Sequence, residues 1–322
     1  MSVRFLATPL AAPLAVPPER EGGLDPALLE AIIPAPGIAP VLERLRQPDV
    51  LAVTTGQQPA LFTGPLYTIH KALSAAALAG ILEHRWGRPV VPVFWVAGDD
   101  HDFAEANHAS WIGPDGTVVT ATLRTRRPEA PLTPMYREPL GSEVEAALAS
   151  LEAALPATEF RQETIAWLRR HFRADVTVAA SAGGALAELL APFGVACLDA
   201  THPAAKRLMA PWLLQALVCA RELDADVARV ANELAAAGAD PGLTVGDGAT
   251  FVMLEGPAGR DRLVTDGNRF RSRRSATAAT LAELEEVAAT APERLSPNVL
   301  LRPLVESTLI PTVAYLAGPG EL

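Results

Sequence analysis

Cysteine is nearly absent: Cys197 and Cys219 are the only two in 322 residues. Two thiols cannot make a disulfide framework, and the count fits a reducing cytoplasm. Cys197 sits in the apolar run Gly194 to Leu198 and reads as a buried core thiol. Lysine is equally scarce, since Lys71 and Lys206 are the only lysines among 27 basic Lys and Arg residues. Acidic residues number 37, so the formal net charge is −10. That balance argues against a nucleic-acid surface, which needs a basic face. No apolar run is long enough to span a bilayer, which argues against a membrane partner. The apolar stretch Phe5 to Pro17 carries one preceding arginine and several prolines, unlike a signal peptide. With 49% hydrophobic and 20% charged residues, the composition is that of a globular protein able to bury one large core or two smaller ones.

What is present is concentrated between Leu51 and His108. Leu51 to Thr55 and Val90 to Ala97 are continuous apolar or β-branched runs, the pattern of strands buried on both faces of a parallel sheet. Between them, Leu66, Ile69, Leu73, Ala77 and Ile81 recur at helical spacing, with Pro65 suited to a first turn and Thr63 or Gly64 to a cap. This predicts a strand, helix, strand crossover whose opposite helix face carries Tyr67, Lys71 and Ser74, with His70 at the edge of the apolar stripe. Ligands of open α/β sheets bind beyond the carboxyl ends of the strands, so Gly56, Gln57 and Gln58 should border one crevice with Asp99, Asp100, His101 and Asp102. The glycine loop before a helix suits a phosphate, and it equally suits ordinary turn and cap chemistry. The cluster from Asp99 to His108 allows a divalent metal, but adjacent Asp100, His101 and Asp102 do not easily converge on one ion. Polar recognition is the expected role, with His101 oriented by a carboxylate as a general base or acting as a hydrogen-bond donor.

Three stretches carry a family resemblance: TTGQQPALFTGPLYTIHK, then PVFWVAGDDHDFAEANH, and at the far end SPNVLLRPLVESTLIPTVAYLAGPGEL. Together they resemble the bacillithiol-biosynthesis cysteine-adding enzymes. The resemblance implies an α/β, Rossmann-like parallel-sheet core related to class I aminoacyl-tRNA synthetases, with helical and small β insertions and a C-terminal coiled coil. It implies a carbon–nitrogen ligase that adds L-cysteine to the amine of glucosaminyl-malate. Because amide formation needs an activated carboxylate, ATP with Mg²⁺ is the expected driver. The place of the synthetases' His-containing signature falls on Thr63, Gly64, His70 and Lys71. The catalytic set is then His70, Lys71, Asp100, His101 and Asp102. The binding set is Gly56, Gln57, Gln58, Thr63, Gly64, Tyr67, Asn107, His108, Asn298 and Arg302, with no resident metal. Rival readings are another synthetase-like ligase and a metal-dependent hydrolase built on Asp99 to His108.

The rest of the chain is less distinctive. Residues 1–50 read as a Pro-rich lead-in with helical patterns at Asp25 to Ile33 and Val41 to Arg46, and 51–322 as the core. Insertions are expected at about 109–175 and 238–275. The first opens with a hairpin across Asp115-Gly116 and continues through the loop Arg124 to Pro139 into helices at Glu143 to Ala154 and Glu159 to Phe172. A helix over Val178 to Leu190, a third parallel strand ending at Asp199, and one long helix from Thr201 to about Ala236 should follow. Asp199 and His202 are second-tier candidates that equally suit a cap and a surface histidine. After the loop Gly238 to Gly248, strands at Thr250 to Glu255 and Arg262 to Thr265 flank a Pro-Gly turn. Asn298, Arg302 and Glu306 share one helical face, where Arg302 suits either an anion or Glu306. The resemblance still runs through Glu321 where the chain stops at Leu322. The expectation is therefore an absent coiled coil, missing dimer contacts, an exposed apolar surface or sheet edge, and reduced or lost activity.

Overall fold

The computed structural model describes residues 22–238, 240, 242 and 248–318. The Pro-rich segment up to residue 21, most of the loop before residue 248 and residues 319–322 lie outside the described residues. A 3₁₀ turn over Pro26–Ala31 and helix α1 (Ala39–Leu45) lead into strand β1 (Leu51–Gln57). Helix α2 (Tyr67–Trp86) crosses over to β2 (Val90–Val96). A short helix α3 (Phe103–Ala106) precedes the hairpin of β3 (His108–Ile112) and β4 (Val118–Thr122). Helices α4 (Glu143–Ala154), α5 (Arg161–His171) and α6 (Val178–Leu190) then bring the chain to β5 (Ala196–Asp199). Helices α7 (Pro203–Val218) and α8 (Ala220–Ala236) follow. Four strands come next: β6 (Ala249–Gly256), β7 (Gly259–Asp266), β8 (Arg269–Ser272) and β9 (Ala278–Ala279). The described chain closes with α9 (Leu281–Thr290), β10 (Leu295–Pro297), α10 (Arg302–Leu309) and β11 (Thr312–Tyr315).

The central sheet is parallel, in the order β11-β1-β2-β5. Alternate residues of its strands face two cores. Ala52, Val91, Val93 and Trp95 join α7 and the N-terminal segment, whereas Leu51, Val53, Phe94 and Val96 face α2 and α6. Helices on both faces explain why β1 and β2 tolerate no charged residue. The fold is thus Rossmann-like α/β, as the strand pattern and the resemblance led us to expect.

Four details differ from the sequence reading. The buried stripe of α2 is Thr68, Lys71, Ala72, Ala75, Ala79 and Leu82, while Leu66 and Ile81 are 66% and 61% exposed. The helix turns its small residues to the sheet because they permit close approach to β1 and β2. Neither Thr63 nor Gly64 caps α2; Leu66 occupies the cap position, and no side chain serves it. The long helix from Thr201 is two helices separated at Cys219. The β insertion is a five-stranded sheet, ordered β10-β6-β7-β8-β9, that reaches as far as Pro297. Of the two cysteines, Cys197 is buried in β5, where burial pushes its thiol up to about 12.

A candidate active site at the carboxyl ends of the parallel strands

Residues Leu51 to Gln57 of β1 pair in register with Val90 to Val96 of β2, so the loops that leave both strands emerge side by side. Gln58 Nε2 donates to the Asp102 carbonyl at 2.8 Å, closing one loop against the other. Gly56 lies inside β1 opposite Trp95, and a Cβ there would stand 2.8 Å from the Trp95 carbonyl oxygen. The glycine is therefore required by strand packing. Beyond it, Phe62, Thr63 and Gly64 have φ of 52°, 73° and 77°. Left-handed backbone at a β-branched threonine is strained, and it concentrates where α2 approaches the crevice.

Lys71 is not on a solvated helix face. It is 8% exposed, and its Nζ donates to the Gly56 carbonyl at 2.8 Å and to Gln57 Oε1 at 3.4 Å, with the Tyr67 ring 5.7 Å away. The buried ammonium thus reaches back to the end of β1. His70, one residue earlier, is exposed on the outer side of the same turn.

Asp99 follows the end of β2 and accepts from Nζ of Lys206 at 2.6 Å. Lys206 also donates to the Leu295 carbonyl at 3.0 Å and is fully buried. Burial draws its ammonium below the ordinary value, opposed chiefly by Asp99. Asp100 Oδ1 accepts from the His101 and Asp102 amides at 2.6 and 3.0 Å, and Asp102 Oδ1 accepts from the Glu105 amide at 3.3 Å. These carboxylates shape the loop. Neither orients the His101 ring, which corrects the expected carboxylate–histidine pair. The ring's Nδ1 lies 3.1 Å from Nη1 of Arg260 instead.

Segment 124–139 of the first insertion buttresses this loop. Arg124 and Arg126 lie over the Phe103 ring at 4.9 and 4.7 Å, and Arg126 donates to the His101 carbonyl at 3.0 Å. Glu138 accepts from both guanidiniums. Backbone bonds from Met135 to Asp100 (2.7 Å) and from Tyr136 to Gly98 (3.0 Å) complete the wall. Tyr136 donates to Glu255 of β6 at 2.9 Å, and burial together with that carboxylate raises its phenol. A cleft of about 450 Å³ opens between this wall and the loop, lined by His101, Asp102, Asn107, Arg126, Arg127 and Leu132.

Other expected residues have local tasks. Asn107 is buried and donates to the Arg124 carbonyl at 2.7 Å, while His108 Nδ1 lies 3.1 Å from the Ala104 carbonyl. Asn298 precedes α10 rather than sharing its face, and it accepts from the Leu300 and Leu301 amides. Arg302 donates to Glu306 at 2.6 Å and to the Tyr315 hydroxyl at 3.0 Å, which favours the structural pair over an anion site. Asp199 accepts from Thr201, and His202 caps Ala204. Among the described residues, no three His, Cys, Asp or Glu side chains are gathered so as to hold a metal ion. Likewise, none of the helices in the described residues is long and apolar enough to cross a membrane.

Sequence reasoning missed Arg260 entirely and noted Lys206 only as a rare lysine. The second had a usable signal: a lysine at helical spacing from Met209, Ala210 and Leu213, on the apolar stripe of α7. Arg260 had none, being one of many arginines, 159 positions from His101.

One pH dependence follows from the loop. Burial, seconded by Arg260, lowers the His101 pKa below its ordinary 6.5. The unfolded chain then binds more protons than the folded one between the two values, so this contribution to stability is complete above about 6.5 and is lost as pH falls below it. Urea unfolding of wild type and His101→Gln at several pH values should show a smaller acid-side loss in the variant.

A family model described as Bacillithiol biosynthesis BshC, N-terminal Rossmann-like domain, matches residues 34–322. A protein of Solibacter usitatus is 37% identical over 316 residues, covering 97% of this chain and 56% of its own length. Proteins of Heliobacterium modesticaldum and Bacillus licheniformis are 34% and 32% identical, each covering 87% of this chain and 51% and 52% of their own. All three are named as candidate cysteine ligases, BshC. The chain spans about half the length of the curated relatives it matches.

Proposed function

The chain belongs to the BshC family of bacillithiol biosynthesis, and from that premise we propose that its crevice serves a ligase joining cysteine to the amine of glucosaminyl-malate, driven by ATP. The observation that carries this reading is the convergence of two polar loops at the carboxyl ends of β1 and β2. Gln58 meets Asp102 there, with Lys71 buried behind the first loop and bonded to Gly56 and Gln57, and His101 held within the second.

The residues present suit an anionic nucleotide at the β1 side. Lys71 brings a cation to the Gly56 carbonyl, and the first turn of α2 holds no acidic side chain. ATP, with Mg²⁺, would supply the activation of the cysteine carboxylate. The chain's own part is to bind, orient and exclude water, and positioning of this kind lowers a barrier by about 7–11 kcal/mol at best. The cleft beside His101 suits the acceptor, with Arg127 at its rim able to meet a carboxylate such as that of the malyl group.

The test is an incubation of the purified chain with MgATP, cysteine and glucosaminyl-malate, read by mass spectrometry for the amide and by thermal shift for binding. The expected result is product that requires all three. Failing turnover, stabilisation should reach about 2.7 kcal/mol at a hundredfold excess of ligand over Kd. Lys71→Met should weaken nucleotide binding at least about tenfold, the loss of one charge-assisted hydrogen bond. Product without ATP, or no response to any of the three, would overturn the reading.

A further inference from the structure

We infer that Arg260, carried by the β insertion, is a positioning residue that holds His101 as a neutral imidazole protonated on Nε2, making it a hydrogen-bond donor in the crevice and not a proton acceptor. The inference deepens the ligase reading and rests on it for its catalytic meaning.

Arg260 follows the tight turn of β6 and β7, where Gly259 has a φ of +81° and lies against Leu132. The Arg260 amide donates to the Leu132 carbonyl at 2.9 Å, and the Leu132 amide to the Ala258 carbonyl at 2.9 Å. That exchange pins the insertion against the crevice wall. The guanidinium is then fixed from three directions. Nε donates to Ser296 Oγ at 2.8 Å, Nη2 to the Pro297 carbonyl at 2.7 Å, and Nη1 faces His101 Nδ1 at 3.1 Å.

A guanidinium offers donors only and keeps its proton, so Nδ1 must supply the lone pair in that contact. The proton of the neutral ring therefore resides on Nε2. The main chain that carries the ring is held on both sides, because the His101 amide donates to Asp100 and its carbonyl accepts from Arg126. The charged groups facing it are Arg260 and Arg126 on one side of the balance and Asp100 and Asp102 on the other. Both carboxylates engage backbone amides through Oδ1. Protonating Nδ1 would set one N–H against another and break the contact with Arg260. Burial works in the same direction.

The chemical consequence is specific. An Nε2–H donor at the edge of the cleft can hold an acceptor oxygen, such as a carboxylate or the acyl oxygen of an activated acid. It cannot take the proton that the attacking amine sheds.

The test is the nitrogen NMR spectrum of His101 in the intact 322-residue chain, identified among the six histidines by its loss in His101→Gln. In wild type, Nδ1 should resonate as an unprotonated nitrogen at neutral pH, with a titration midpoint below 6.5. Arg260→Met should raise that midpoint by about one pH unit or more, roughly a tenfold gain in proton affinity. Arg260→Lys, which restores a donor, should keep it low. A proton on Nδ1 in wild type, a wild-type midpoint at or above the ordinary value, or an unmoved midpoint in a folded Arg260→Met protein would each overturn the inference. Should Arg260→Met fail to fold, the wild-type spectrum decides alone. None of these readouts needs turnover, so failure of the ligase reading and failure of this inference are distinguishable.

Discussion

Lys206→Met should destabilise the protein by about 3–5 kcal/mol, the usual cost of removing one partner from a buried ion pair. The lysine has no solvent contact, and its partner Asp99 is largely covered at the end of β2. Without the ammonium, the Asp99 carboxylate loses the cation it is hydrogen-bonded to and keeps the coulombic attraction of Arg260, and the Leu295 carbonyl loses its donor. Replacing both members, as Asp99→Asn with Lys206→Met, should recover a large part of the loss, because no uncompensated charge then remains. Urea unfolding of the two single variants and the double variant measures the coupling. Additive losses would show that the pair does not act as a unit.

Gly259→Ala is expected to cost about 3 kcal/mol or more and to disorder the crevice. Left-handed backbone at a non-glycine residue costs about 1–3 kcal/mol by itself. Here a Cβ would also stand 2.4 Å from the Leu132 amide nitrogen and 2.5 Å from its carbonyl carbon and oxygen. Backbone cannot give way as a side chain can, so segment 131–132 must separate from β7 and release Arg260 from His101. Gly116 is the internal control. Its φ of +80° matches, but nothing lies within 4 Å of an added Cβ. Gly116→Ala should therefore cost only about 1–2 kcal/mol of backbone strain. Equal losses in the two variants would show that the Leu132 contact is not tight.

The central strands were legible because a parallel strand buried on both faces must be apolar throughout, as Val90 to Val96 is. Parallel strands end on the same side of the sheet, which placed Gln57, Gln58 and Asp100 to Asp102 together at its carboxyl end, and the bond between Gln58 and Asp102 joins the two loops there. The buried face of α2 was not legible, because an alanine stripe and a leucine–isoleucine stripe compete on one helix and only packing selects between them. Nor was the break at Cys219, which has neither glycine nor proline to announce it. The partners of the loop were hidden for a different reason. Lys206 meets Asp99 across 107 positions and Arg260 meets His101 across 159, and periodicity carries no information at such separations.

The most direct test of the crevice as the ligand site is hydrogen–deuterium exchange of the chain with and without MgATP, cysteine and glucosaminyl-malate. Exchange should slow in peptides spanning Gly56 to Gln58 and Asp100 to Phe103, with the β3–β4 hairpin tip unchanged. Protection confined to other segments, with these two unaltered while ligand is bound, would contradict it.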